Sequence, residues 1–331
     1  MDICRVGLIG CGPMGRGLIT SAHQLPQLSQ VNAVCDLDAD IGKEVAEAVE
    51  AEYVADIESF VERDDIDAII VAVPQFAHRE AALATIAAGK HVFVEKPMAV
   101  NVDDCQAMID AAAKQGVKLM VGQVLRYLGP FKFALDHVPD LGELFAVRIT
   151  RSGSGWGSVA AWRRELKRSG GILFEVDVHE IDFMRCCLGN ATSVYALSNP
   201  RPNPCGADYS DTFFATIGFE DGGLAQLAAS QADHVGVYRG EILGTNGAVH
   251  FNQSSGELKY RFGDGELTTL AIGDLGYPNA VEFEVEQFLR AVVDDTPVPI
   301  PGEEGMAAVE IAQGAMSSQE SGQVVPLSVS T

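Results

Sequence analysis

Positive charge and tryptophan are scarce in this chain, and long apolar runs are absent. Lys and Arg number 23 against 46 Asp and Glu, giving a formal net charge of −23. So anionic a surface repels a phosphate backbone or an anionic membrane, so no nucleic-acid partner is expected and the acidity reads as a device for solubility. No apolar stretch approaches the ~18 residues of a spanning helix. No basic, apolar leader precedes the strand read at residues 5–10, so neither membrane insertion nor export is expected. The seven cysteines (Cys4, Cys11, Cys35, Cys105, Cys186, Cys187 and Cys205) form no C-x-x-C pair. The chain is too long for a disulfide scaffold, so reduced thiols and a cytoplasmic location are expected. Repeats and low-complexity segments are lacking too.

What is present suits two compact domains: 331 residues, 47% hydrophobic and 21% charged. Over residues 1–122, Val- and Ile-rich runs at 5–10, 31–36, 68–73, 91–95 and 118–122 alternate with helical stretches at 14–23, 39–50, 57–62, 78–88 and 102–115. That is the pattern of parallel strands joined by crossover helices. From 123 to 331 the texture changes, with strand-like runs at 145–152, 193–198, 212–219, 224–230, 238–243 and 258–262. Two of their turns, Asp221-Gly222-Gly223 and Asn246-Gly247, suit hairpins through positive φ. Helices are expected at 173–188, 280–293 and 303–317, with Pro297, Pro299 and Pro301 between the last two. The fold class is therefore α/β: a doubly wound Rossmann domain, then an α+β domain on a large, mostly antiparallel open sheet.

Gly10-Cys11-Gly12-Pro13-Met14-Gly15 follows the first strand and opens a helix, the context in which G-x-G-x-x-G signals a dinucleotide. The first glycine makes the turn, the second lets backbone approach a pyrophosphate, and the third packs helix on sheet. Asp36 ends the second strand 21 residues after Gly15, where a carboxylate bonds ribose hydroxyls and repels a 2′-phosphate. NAD is expected over NADP. Cys11 reads as a small apolar filler rather than a reactive thiol.

The strand at 91–95 ends in Glu95-Lys96-Pro97, which puts a lysine at the carboxyl edge of a parallel sheet, where such sheets bind ligands. In the segment from Gly170 to Asp182, a continuous helix would set Glu175, His179 and Asp182 at i, i+4 and i+7 on one face. An imidazole with a carboxylate one turn away is suited to proton transfer near neutral pH. His179-Glu180 also begins like the zinc motif H-E-x-x-H, but Phe183 stands at the second histidine, so no metal is expected.

In combination, the glycine loop, the Glu95-Lys96-Pro97 triplet, the Gly-Gly to His-x-x-Asp segment and the ending at 282–289 with its proline-rich loop resemble the glucose-fructose oxidoreductase, inositol dehydrogenase and rhizopine catabolism (Gfo/Idh/MocA) family. The resemblance spans nearly the whole chain. It implies an NAD-dependent dehydrogenase of a secondary hydroxyl on a sugar, glycoside or cyclitol such as inositol, with Lys96 and His179 as a proton-transfer pair: Lys96 polarising or helping to deprotonate the hydroxyl, His179 as general base. Glu175, which stands where many members carry Asp, is the candidate for orienting His179; its division of roles with Asp177 and Asp182 stays open. The implied cofactor-facing set is Gly10, Gly12, Pro13, Met14, Gly15, Asp36, Val73, Pro74, His78, Glu95 and Lys96. The implied substrate-facing set is Arg126, Tyr127, Trp156, Trp162, Arg163 and Asp182, with Tyr277 a weaker candidate. Four cations between Arg163 and Arg168 would suit an anionic substrate as well as a solvated face. Residues 1–122 would bind NAD, and residues 123–331 would bind substrate and form a homodimer or homotetramer. Two rival readings are an enzyme that retains NAD and cleaves or epimerises a glycoside through transient oxidation, and a non-catalytic ligand sensor.

Overall fold

The computed structural model describes residues 3–154, 160–201 and 203–328. It divides into two compact units, residues 1–124 with 278–306 and residues 125–277 with 307–331.

In the first unit six strands, β1 (Cys4–Ile9), β2 (Ser29–Cys35), β3 (Glu52–Val54), β4 (Ala68–Val71), β5 (His91–Glu95) and β6 (Leu119–Gly122), lie in the order β3-β2-β1-β4-β5-β6. Every pairing is parallel. Between them run α1 (Pro13–His23), α2 (Ala39–Ala48), α3 (Ile57–Val61), α4 (His78–Ala87) and α5 (Val102–Gln115). The strand order reverses between β1 and β4, which places a ligand crevice at their carboxyl ends. β1 and β4 are almost wholly buried, as strands covered on both faces must be. Sequence patterning misses only β3, a three-residue edge strand, and carries β4 two residues too far, so Val73 and Pro74 lie in a loop.

The second unit opens with a 3-10 turn (Val124–Tyr127), α6 (Gly129–Asp136) and α7 (Val138–Leu141). Then come β7 (Leu144–Ser152), a 3-10 turn (Ala161–Arg164), α8 (Leu166–Ser169), α9 (Gly171–Glu175) and α10 (Val178–Leu188). The remaining strands are β8 (Ala191–Ser198), β9 (Thr212–Phe219), β10 (Leu224–Ser230), β11 (Val237–Gly244), β12 (Gly247–Asn252), β13 (Glu257–Phe262) and β14 (Thr268–Ala271). α11 (Ala280–Val293) returns to the first unit, packs on α1 and sets Phe288 edge-on to Phe93; α12 (Gly302–Ser321) and β15 (Val325–Pro326) complete the chain.

The nine strands of the second sheet run β14-β13-β12-β11-β7-β10-β9-β8-β15. All pairings are antiparallel except β7 with β10. Side chains alternate: Val147, Ile149, Phe213, Leu227 and Ile242 are buried, while Phe145, Leu197, Phe214 and Leu224 are at least half exposed on the other face. The hairpin at 219–223 uses Gly222 at φ 81°, as its sequence demands. The β11–β12 hairpin forms without positive φ at Asn246 or Gly247; Gly247 is needed because a Cβ there would press on the Arg261 carbonyl.

The helix expected at 173–188 is two. α9 ends at Glu175, and Val176 (φ −115°, ψ −56°) and Asp177 (φ −95°, ψ 1°) interrupt the turn before α10 begins. Glu175 and His179 therefore lie on different helices rather than on one face.

Candidate active site

In the first unit the carboxyl ends of β1 and β4 meet at Gly10, whose φ of 97° and lack of a Cβ let it sit against the Ala72 carbonyl, 2.6 Å from where a Cβ would lie. Gly15 packs equally close, since its Cβ would overlap the Gly10 carbonyl oxygen. Gly12 is different. Nothing lies within 4 Å of its Cβ position, so protein packing does not explain the glycine, and the turn leaves space for a group approaching from outside.

The helix behind it agrees. α2, α3 and α5 start with Asp38, Asp56 and Asn101 side chains accepting their first amides. α1 starts at Pro13 with no side-chain cap and no acid in its first turn, which leaves its amino end open to an anion. Met14, beside it, is 42% exposed. Asp36 completes the loop: one carboxylate oxygen accepts the Cys11 N–H at 2.6 Å and the other the Asp38 N–H at 2.8 Å. Its remaining lone pairs can accept ribose hydroxyls. Cys11 is buried and burial pushes its thiol up to about 12, so it fills space without reacting near neutral pH.

Lys96 follows β5 directly and the Lys96–Pro97 peptide is cis. Its N–H donates to the Glu95 carboxylate at 3.0 Å. Glu95 is 7% exposed, and burial, opposed by Lys96, raises its pKa to about 7. His78, expected beside the cofactor, is buried, with both ring nitrogens 2.8 Å from backbone carbonyls, of Val73 and Pro97.

In the second unit, two of the expected substrate residues pair with each other. Arg126, in the 3-10 turn before α6 with half-buried Tyr127 beside it, grips Asp182 through Nε (2.7 Å) and Nη2 (2.6 Å) in a bidentate pair, with Asp182 fully buried. Glu175 ion-pairs with Arg163 at 3.0 Å, and the Arg163 guanidinium also covers the Trp162 ring at 5.2 Å. The Tyr209 hydroxyl donates to the Arg163 carbonyl at 2.6 Å, bracing that turn. Arg168 has Glu165 at 3.6 Å, so two of the four clustered cations face carboxylates within the unit, which weakens the case for an anionic substrate. Tyr277 donates to Asp136 at 2.9 Å, a structural bond. Trp156 lies outside the described residues.

His179 sits in the first turn of α10, 7% exposed. The next residue, Glu180, is fully buried; one of its carboxylate oxygens accepts from Arg151 Nη1 (2.8 Å) on β7 and from the Tyr238 hydroxyl on β11. Arg151 lies over the Tyr238 ring and also reaches the Val176 carbonyl at 3.3 Å, at the break between α9 and α10. Burial and Glu180 push the Tyr238 phenol far up, so it stays protonated. Sequence reading misses this network. Its one signal is a glutamate amid the apolar residues of α10, whose partners lie 29 and 58 residues away. A cavity of about 200 Å³ opens beside Gly171, Tyr209, Ser198 and Gln319, and neither Glu175 nor His179 lines it.

Known proteins resemble this chain along most of its length. Residues 4–123 match a family model described as oxidoreductase family, NAD-binding Rossmann fold (GFO_IDH_MocA), and residues 139–250 match the GFO/IDH/MocA C-terminal domain. Among curated relatives, an inositol 2-dehydrogenase of Rhizobium meliloti (strain 1021) is 27% identical over 95% of this chain and 96% of its own. A 2,7-anhydro-N-acetylneuraminate hydratase of Mediterraneibacter gnavus is 26% identical over 73% of this chain and 65% of its own. Among solved structures, a levoglucosan dehydrogenase in complex with NADH and levoglucosan superposes with a TM-score of 0.89 at 23% identity, covering 98% of this chain and 99% of that one, a likeness of fold. Among the described residues no helix is long and apolar enough to cross a membrane.

Proposed function

The chain belongs to the GFO/IDH/MocA family of NAD-binding oxidoreductases, and within it we propose a dehydrogenase that oxidises a secondary hydroxyl of an uncharged sugar, glycoside or cyclitol, or reduces the corresponding ketone. The observation that carries the reading is the position of Lys96 at the end of β5, on the carboxyl edge of the same parallel sheet whose β1 leads into the open Gly12 turn.

NAD, when bound, supplies the hydride acceptor. The roles of the chain are binding and proton transfer. Gly10, Gly12 and Gly15 with Pro13 and Met14 cradle the pyrophosphate at the start of α1, and Asp36 selects the unphosphorylated ribose. Val73, Pro74 and Glu95 border the cofactor. Lys96 orients and polarises the substrate hydroxyl, and His179 accepts its proton. Glu175, tied to Arg163, shapes the substrate side with Trp162 and Tyr127. Residues 1–122 carry the cofactor; residues 123–331 carry the substrate and, through the exposed face with Phe145, Leu197, Phe214 and Leu224, assembly into a homodimer or homotetramer.

The test is NADH formation at 340 nm with NAD and a panel of inositols, hexoses, glycosides and uronates, for wild type beside Lys96→Ala and His179→Ala. Turnover on a neutral polyol that both substitutions reduce at least a hundredfold, with NAD binding retained, supports the reading. Turnover that survives both removes it. The hydratase among the relatives favours a second reading, transient oxidation with NAD retained. Product formation from an anhydro-sugar or glycoside without net NADH would establish that one.

A further inference from the structure

His78 is the first residue of α4, yet it is 1% exposed. Its Nδ1 lies 2.8 Å from the Pro97 carbonyl and its Nε2 2.8 Å from the Val73 carbonyl. These carbonyls belong to the loops that leave β4 and β5, which are neighbours in the sheet. Each loop leads somewhere that matters. The amide of Val73 borders Gly10, 2.8 Å from its Cβ position, and Pro97 directly follows Lys96. Burial lowers the ring's pKa to about 4, so near neutral pH it is uncharged with one N–H. Both carbonyls can only accept, so the two contacts share that single proton, and each loop is held through it. A ring buried this fully cannot swing away from either loop without opening the core around it. Glu95 also holds the lysine loop by accepting the Lys96 N–H.

We propose that His78 is a positioning residue that fixes the loop after β4 and the Lys96 loop in one register, so that the wall beside the glycine turn and the lysine keep a constant offset. The proposal rests on the reading of Lys96 as the group that meets the substrate hydroxyl. A displacement of about 1 Å in such a group can cost ~10²-fold in rate, which is the scale of effect available to a residue that touches neither substrate nor cofactor.

The test compares wild type, His78→Phe, His78→Asn and Lys96→Ala as full chains saturated with NAD. Amide hydrogen exchange is followed in peptides covering residues 72–77 and 95–99, together with kcat on the best substrate of the panel and the NAD dissociation constant. His78→Phe fills the space without a donor. It should speed exchange at least tenfold in both peptides together, the Lys96 amide included, with β1 and α5 unchanged. kcat should fall ten- to a hundredfold while NAD affinity changes less than threefold. His78→Asn, which keeps a donor, should recover part of both losses, and it carries the test if the Phe variant folds poorly. Faster exchange confined to residues 72–77 overturns the proposal, as does full kcat with both loops loosened while Lys96→Ala is inactive. Full turnover by Lys96→Ala would instead remove the role of Lys96 on which the proposal rests.

Discussion

The glycine turn of the first unit and the segment from Glu175 to Asp182 in the second obtain their geometry by different means. Around Gly12 the work is done by backbone: two glycines pack where no side chain fits, a third is left open, and an uncapped helix end faces outward. The one carboxylate, Asp36, is oriented by two amides. Around His179 the work is done by buried charge, with Glu180 held by Arg151 and Tyr238, Asp182 by Arg126, and Glu175 by Arg163. A backbone site can lose ligand affinity without losing stability. A site hung on buried carboxylates is harder to alter without straining the fold, because Glu180 and Asp182 have already given up their hydration and Glu175 nearly all of it.

The largest break in that contrast comes from Arg126→Ala. It strands a fully buried Asp182 carboxylate and should destabilise the protein by about 3–5 kcal/mol, read as a fall in the urea midpoint. Arg126→Ala with Asp182→Asn should recover much of the loss, since the uncompensated charge is then gone. If Arg126→Ala lowers only the affinity for substrate and leaves the midpoint in place, Arg126 is a binding residue and the two regions are more alike than their geometry implies.

Glu95 tests the contrast from the other side, as a buried acid in the backbone-built unit. The folded protein keeps its proton up to about pH 7, whereas the unfolded chain releases it near 4.5. The cost of ionising it in place is therefore absent at pH 4.5, grows as pH rises and is complete above pH 7, reaching about 3 kcal/mol at most. Glu95→Gln should accordingly be more stable than wild type at pH 8 by about 1–3 kcal/mol and no more stable at pH 4.5. Thermal unfolding of both proteins at the two pH values reads the difference. A gain of equal size at both would mean that ionisation of Glu95 is not its source.

The same contrast explains what the sequence reveals and what it hides. The glycine turn, Asp36 and Lys96 are legible because each is local: a strand, a turn and a helix start fall within a dozen residues, and strand ends locate the rest. The break between α9 and α10 is not legible, because Val176 and Asp177 include neither Gly nor Pro. The turn is met by a hydrogen bond from Arg151, 25 residues earlier. Likewise Arg126 and Asp182 are 56 residues apart, and periodicity carries no trace of a partner at that distance. His78 reads as one more polar residue near the cofactor, and neither its burial nor its two carbonyl contacts is legible in the sequence.

The smallest expected effect on stability, and the sharpest separation of the two regions, belongs to Gly12→Ala. Gly12 has φ −61° and ψ 179°, a conformation open to any residue, and an added Cβ meets nothing within 4 Å. Alanine is a poorer helix cap than glycine, while a stiffer unfolded chain favours it by about 0.4–1 kcal/mol, so the net change in stability should be within about 0.5 kcal/mol of zero. NAD affinity should nevertheless fall at least tenfold, because the methyl group occupies the space into which the pyrophosphate must come. Gly15→Ala, whose Cβ would overlap the Gly10 carbonyl oxygen, should lose affinity and stability together. A Gly12→Ala variant that binds NAD as tightly as wild type would show that the pyrophosphate does not approach this turn. The open space at Gly12 would then need another explanation, and the assignment of the first unit's site would have to begin again from Asp36.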